Sequence, residues 1–137
     1  MGKRTYTEQM RTKFLEKPMK ARGREERTDP ATIDSLLVGT TDPDPKVRCQ
    51  SVQHLCPCHV QARYDHVWDR LIAMVDDPDV KVRKTVLHTL ADGSPREREA
   101  EVVAAIETLY NDPDKKLRKA VRHLLTIYRN TGKINVL

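Results

Sequence analysis

Apolar residues in this chain recur at three- and four-residue steps, the spacing that lays one stripe along an α-helix. Ile33 with Leu36, Trp68 with Leu71 and Val103 with Ile106 form three such stripes. Each is followed by a second: Val47 with Leu55, Val82 with Leu90, Leu117 with Leu125. The period-two alternation of a half-buried strand is not seen. The pattern predicts an all-α fold.

The stripes are copies of one another. Between the two stripes of each pair stands DPDPKVR at 42–48, DPDVKVR at 77–83 or DPDKKLR at 112–118, so both steps are 35 residues. Asp, Pro, Asp, Lys and Arg hold the same five positions in all three. A fixed period of this length is the mark of a solenoid, in which each unit buries its apolar face against the next.

The shared turn has a physical logic. The residue before proline is pushed out of the helical region, so Asp-Pro ends a first helix. The next aspartate, Asp44, Asp79 or Asp114, is placed as an N-cap, its carboxylate accepting from free amides at the positive end of a second helix. Each unit therefore reads as helix A, turn, helix B. The A helices fall near 30–41, 64–76 and 96–111, the B helices near 44–55, 79–91 and 114–129. The units span 30–60, 61–95 and 96–131, preceded by an arm at 1–29 and followed by a tail at 132–137.

The D-P-D-x-K-[VL]-R turn resembles that of HEAT repeats, and of the short bacterial HEAT-like repeats of phycobilin lyases in particular. LCPCHVQ and GKINVL are similar to stretches of small bacterial HEAT proteins. The resemblance implies a right-handed α-α superhelix. It also implies a hydrogen-bonded ladder between repeats, formed by the turn aspartate and the helix-B arginine: Asp42/Arg48, Asp77/Arg83 and Asp112/Arg118.

End units of a stack need covering. Met10, Phe14 and Leu15 are candidates at one end, with Pro18 interrupting their stripe. At the other, Gly132 can close the last helix in a left-handed conformation, and Ile134, Val136 and Leu137 can fold back over the third unit. Uncapped ends would drive self-association into a homo-oligomer.

Charge is unevenly placed. Residues 1–29 hold nine Lys/Arg against five Asp/Glu, and the remainder sixteen against fifteen. A basic arm suits an acidic partner such as nucleic acid, or simply keeps a tail solvated. No apolar run approaches the roughly 18 residues of a membrane span, and no signal-peptide core is present, so a cytoplasmic protein without a membrane partner is expected. Three cysteines argue against a disulfide framework.

Enzyme signatures such as G-x-S-x-G, a phosphate-binding glycine loop or H-E-x-x-H are absent, and no cofactor is implied. The leading expectation is a scaffold that binds another protein on its B-helix groove. The candidates are Lys46, Lys81, Lys84, His88, Lys116, Lys119, Arg122 and His123. His88 and His123 share one register position, held by Gln53 in the first unit. The same lysines could track phosphates, which keeps nucleic-acid binding as an alternative. A further alternative is a metal-binding or lyase-like role at the Cys-Pro-Cys-His loop, with Cys56, Cys58 and His59 as ligands. Cys49 is seven residues before Cys56, roughly 10 Å along a continuous helix and too far to share one zinc. Shifted by one period, Cys56 aligns with Ala91, so it also suits a small buried slot.

Overall fold

The computed structural model describes residues 28–60 and 64–134, with the side chain of Cys58 outside the description. The described residues form helices and no strand. The order is α1 (Pro30–Gly39), α2 (Pro45–His54), α3 (Pro57–Val60), α4 (Asp65–Ala73), α5 (Val80–Ala91), α6 (Glu99–Glu107) and α7 (Lys115–Thr131). The chain is an α-solenoid: α1/α2, α4/α5 and α6/α7 are three successive helix A/helix B pairs.

Every turn works as its residues dictate. Asp44, Asp79 and Asp114 are extended N-caps, accepting from the amides of Lys46 at 2.9 Å, Lys81 at 2.8 Å and Leu117 at 2.9 Å. The preceding aspartates brace the caps. Asp42, Asp77 and Asp112 accept from the amides of Asp44, Asp79 and Asp114 at 2.8–2.9 Å. One carboxylate thus fixes the turn and the next starts the helix.

The apolar stripes meet in one core. Ile33, Leu36, Leu71, Val82, Leu90, Ile106 and Leu117 are at most 1% exposed, and Trp68 is 5% exposed. In α4 the helix tightens into a 3-10 turn at Met74–Asp76 before the Asp-Pro sequence. A 3-10 turn at Arg96–Arg98 likewise leads into α6, where one α-helix from 96 is expected. These turns fit the short distance between helix and loop.

Asp29 is the N-cap of α1, accepting from the Thr32 amide at 2.8 Å. Met10, Phe14, Leu15 and Pro18 lie outside the described residues. The Cys-Pro-Cys-His stretch is not a loop. Pro57 opens α3, a position where its missing N–H costs nothing. At the other end Gly132 adopts the left-handed conformation, φ 71°, that closes α7. Ile134 is then fully buried in the core, and its amide donates to Glu99 Oε1 at 3.0 Å. Val136 and Leu137 lie outside the described residues.

Candidate functional site

The B helices α2, α5 and α7 carry most of the candidate residues, and the structure divides them. Lys84 and His88 of α5 and Lys116 and His123 of α7 rim one groove of about 380 Å³. Its floor is Leu87, Leu117, Ala120 and Leu124. The floor is apolar because Leu87, Leu117 and Leu124, each at most 5% exposed, belong to the inward stripes of two neighbouring B helices, with the small, exposed Ala120 beside them.

Lys46 and Lys81 are elsewhere. They border a second groove between α2 and α5, with Cys49, Gln50, Gln53 and Asp79. Lys119 is exposed on α7 and borders neither groove. Arg122 turns to the third turn: its Nε donates to the Tyr110 carbonyl at 3.1 Å and its Nη2 to Asn111 Oδ1 at 3.1 Å. Its guanidinium also lies 4.3 Å from the centre of the Tyr110 ring. That cation–π contact and the two hydrogen bonds occupy the side chain away from the groove.

Charge in the first groove is partly neutralised. Lys84 Nζ is 3.3 Å from Asp114 Oδ2, so one cation is tied to the next unit's cap. Asp114 is in turn held below the usual carboxylate range, first by the hydrogen bond from the Leu117 amide and then by Lys84.

The ladder connects units rather than closing within them. Arg48 donates from Nε and Nη2 to the carboxylate of Asp77, and Arg83 in the same way to Asp112. Within each unit the arginine instead donates Nη1 to backbone, Arg48 to the carbonyls of Asp42 and Pro43, Arg83 to those of Asp77 and Pro78. The side-chain pairing is therefore one unit out of step from Asp42/Arg48, Asp77/Arg83 and Asp112/Arg118. The reason is reach: the guanidinium extends along the stack, and the nearest carbonyls of its own turn are backbone. Arg118, at the end of the series, donates to the carbonyls of Asp112 and Pro113.

A third cavity lies between these grooves, bordered by Gln53, Cys56, His59, Lys84, Thr85, His88 and Thr89. Here Cys56 Sγ donates to Asp92 Oδ2 at 3.0 Å. Donor atoms of Cys56, His88 and Asp92 all lie within 4.8 Å of one another. Sequence spacing alone singles out Cys56, Cys58 and His59. The structure instead groups Cys56 with two residues of the following unit, and Cys58's side chain falls outside the description. Gly93 allows the approach: an ideal Cβ there would lie 3.3 Å from Pro57 Cβ, and its φ of 137° suits only glycine.

Two clamps between A helices carry no repeat signal and were not foreseen. Arg70 donates to the Thr40 hydroxyl at 2.9 Å and carbonyl at 3.0 Å. Arg98 donates to the Asp65 carbonyl at 2.8 Å and pairs with Asp69 and Glu101. These carboxylates raise the Arg98 pKa, Glu101 first.

No helix among the described residues is long and apolar enough to cross a membrane. Comparison with curated proteins and with solved structures gives no significant match to the chain. A family model for HEAT repeats matches residues 33–126, which takes in all three Asp-Pro-Asp turns and most of the chain. With three capped helix pairs joined by an arginine–aspartate ladder, the chain belongs to the HEAT repeats.

Proposed function

We propose that the chain is a protein-interaction module that takes a partner segment on its B-helix face, over the groove between α5 and α7, without catalysis. The groove itself carries the reading. Four apolar residues form its floor, and two lysines and two histidines form its rim. Its volume of about 380 Å³ is within the range of sites that hold a small group or a few side chains. An apolar floor with a cationic rim suits an apolar side chain flanked by carboxylates. HEAT repeats commonly mediate protein–protein interaction.

Nucleic acid is the less suited occupant. Asp114 sits against Lys84, and Arg122 is engaged by the third turn, so the cations do not form a continuous phosphate track. The described part of α7 also lacks a series of exposed aromatic side chains for base stacking.

A photo-crosslinking residue at Lys116 or His123 tests the reading in cells. Both positions are expected to trap the same protein, and Glu107, exposed on α6, is the outer-face control. The adduct should persist after nuclease treatment and weaken when Leu124 is replaced by Asp. Equal trapping from Glu107, or an adduct that nuclease removes, would discard the groove as the protein-binding face.

A further inference from the structure

We propose that Cys56, His88 and Asp92 form a zinc(II) site bridging the first and second units. Their donor atoms lie within 4.8 Å of one another. A tetrahedral zinc ion, with bonds of about 2.3 Å to sulfur and about 2.0 Å to nitrogen or oxygen, needs its ligands roughly 3–4 Å apart. Sγ of Cys56 and Oδ2 of Asp92 are already 3.0 Å apart. His88 is exposed, so its ring can rotate to close the remaining distance.

The helix geometry favours this set. His88 and Asp92 stand four residues apart at the end of α5, one turn, which brings their side chains to one face. Cys56 comes from the neighbouring unit, just after α2. Two of the three break the repeat. Cys56 stands where the second unit has Ala91, and Asp92 where the first has Pro57 and the third Ile127. Solenoid architecture explains the residues that recur. It does not explain why two departures from register converge on one point beside a histidine.

The chemistry selects the ion. Thiolate and imidazole are ligands of zinc rather than of magnesium or calcium, and the carboxylate is a common companion. Thiolate and carboxylate together balance the charge of Zn²⁺, so the site is neutral around a cysteine that is only 3% exposed. Lys84 borders the same cavity, and its charge is partly offset by Asp114.

Three protein donors leave one position for water on the cavity side. Thr89 borders that cavity, is fully buried, and its hydroxyl has no hydrogen-bond partner among the described residues. A zinc-bound water is a group that would meet this unsatisfied hydroxyl. On binding, the Cys56 S–H bond breaks, the sulfur–zinc bond forms, and one proton leaves to solvent; His88 binds as the neutral imidazole.

Cobalt(II) titration of the purified, chelator-treated full chain tests the site. A thiolate-to-cobalt charge-transfer band in the near ultraviolet is expected, with strong tetrahedral bands in the visible, and zinc should displace both. Cys56→Ser should abolish the charge-transfer band. His88→Ala and Asp92→Asn should each weaken metal binding by at least about 10-fold. Cys49→Ser and Cys58→Ser should leave the band in place. Far-ultraviolet circular dichroism checks that the variants are folded, and His88→Ala, altered at an exposed position, decides the matter if Cys56→Ser unfolds. The proposal is overturned if no charge-transfer band forms, if binding is unchanged in His88→Ala, or if the band survives Cys56→Ser and vanishes in Cys58→Ser.

Discussion

Arg48 and Asp77, 29 residues apart, are joined by two parallel hydrogen bonds of 3.0 Å. The pair is largely buried, with side chains 13% and 8% exposed. This fork-to-carboxylate geometry is the strong form of an ion pair. It also raises the guanidinium pKa, first through the Asp77 hydrogen bond. Arg83 and Asp112 repeat it at 2.9–3.1 Å. In a stack, such a link belongs to the interface between units, the quantity on which solenoid stability depends.

The ladder therefore predicts an unequal series. Arg48→Met and Arg83→Met each strand a buried carboxylate and should cost about 3 kcal/mol. Arg118→Met removes only bonds to backbone carbonyls among the described residues and should cost about 1 kcal/mol. Urea unfolding of the three variants measures the difference. Equal losses at all three positions would show that the inter-unit carboxylates contribute nothing.

Gly39 and Ser51 set a second prediction, confined to the first unit. A Cβ at Gly39 would lie 2.2 Å from Ser51 Oγ, too close for any contact. The aligned positions carry Met74 and Leu109, and Ser51 aligns with Val86 and Val121, so α1 and α2 approach through small residues where the other units use large ones. Gly39→Ala should destabilise by about 1–3 kcal/mol, an overpacking cost. Ser51→Ala removes the clashing oxygen, and the double variant should recover most of the loss. If the two losses simply add, the contact is not the cause.

What the sequence made legible is what repeats. The period of 35 residues placed the helices and the caps, because each copy tested the others, while the ladder residues are what the resemblance to HEAT repeats implies. The pairing of Arg48 with Asp77 rather than Asp42 was not legible, since it depends on how far one unit rises above the next. Cys56 is visible in the sequence as a candidate, but linear spacing points only to its near neighbours. His88 and Asp92 reach it across 36 residues or fewer, through the offset between α2 and α5, which no linear spacing reports. Arg122 instead donates to the Tyr110 carbonyl and to Asn111 at the third turn, a contact that the repeat period does not report.

Ile134 is the cap of the third unit and should be costly to remove. It is fully buried, so Ile134→Ala should lose about 2–4 kcal/mol. The same change uncovers the apolar end of the stack, and sedimentation velocity should show stronger concentration-dependent self-association than in the parent chain. Loss of stability with no change in association would mean that Ile134 supports the core without guarding the end.

The Asp114 cap makes stability depend on acid in a defined direction. Its pKa is lowered from the ordinary value of 3.8, because the charged form accepts from the Leu117 amide and faces Lys84. A carboxyl lowered on folding adds stability that is complete above its unfolded value and is lost as pH falls through its folded one. Asn caps a helix about as well as Asp but does not titrate there. Asp114→Asn should therefore be less stable than the parent near neutrality, and the gap should shrink as pH falls from about 6 to about 2. Lys84→Met should shrink the gap partially, since the Leu117 bond remains. Denaturant unfolding across that range measures it. A gap that stays constant with pH would show that the charge of Asp114, as distinct from its shape, does nothing for the cap.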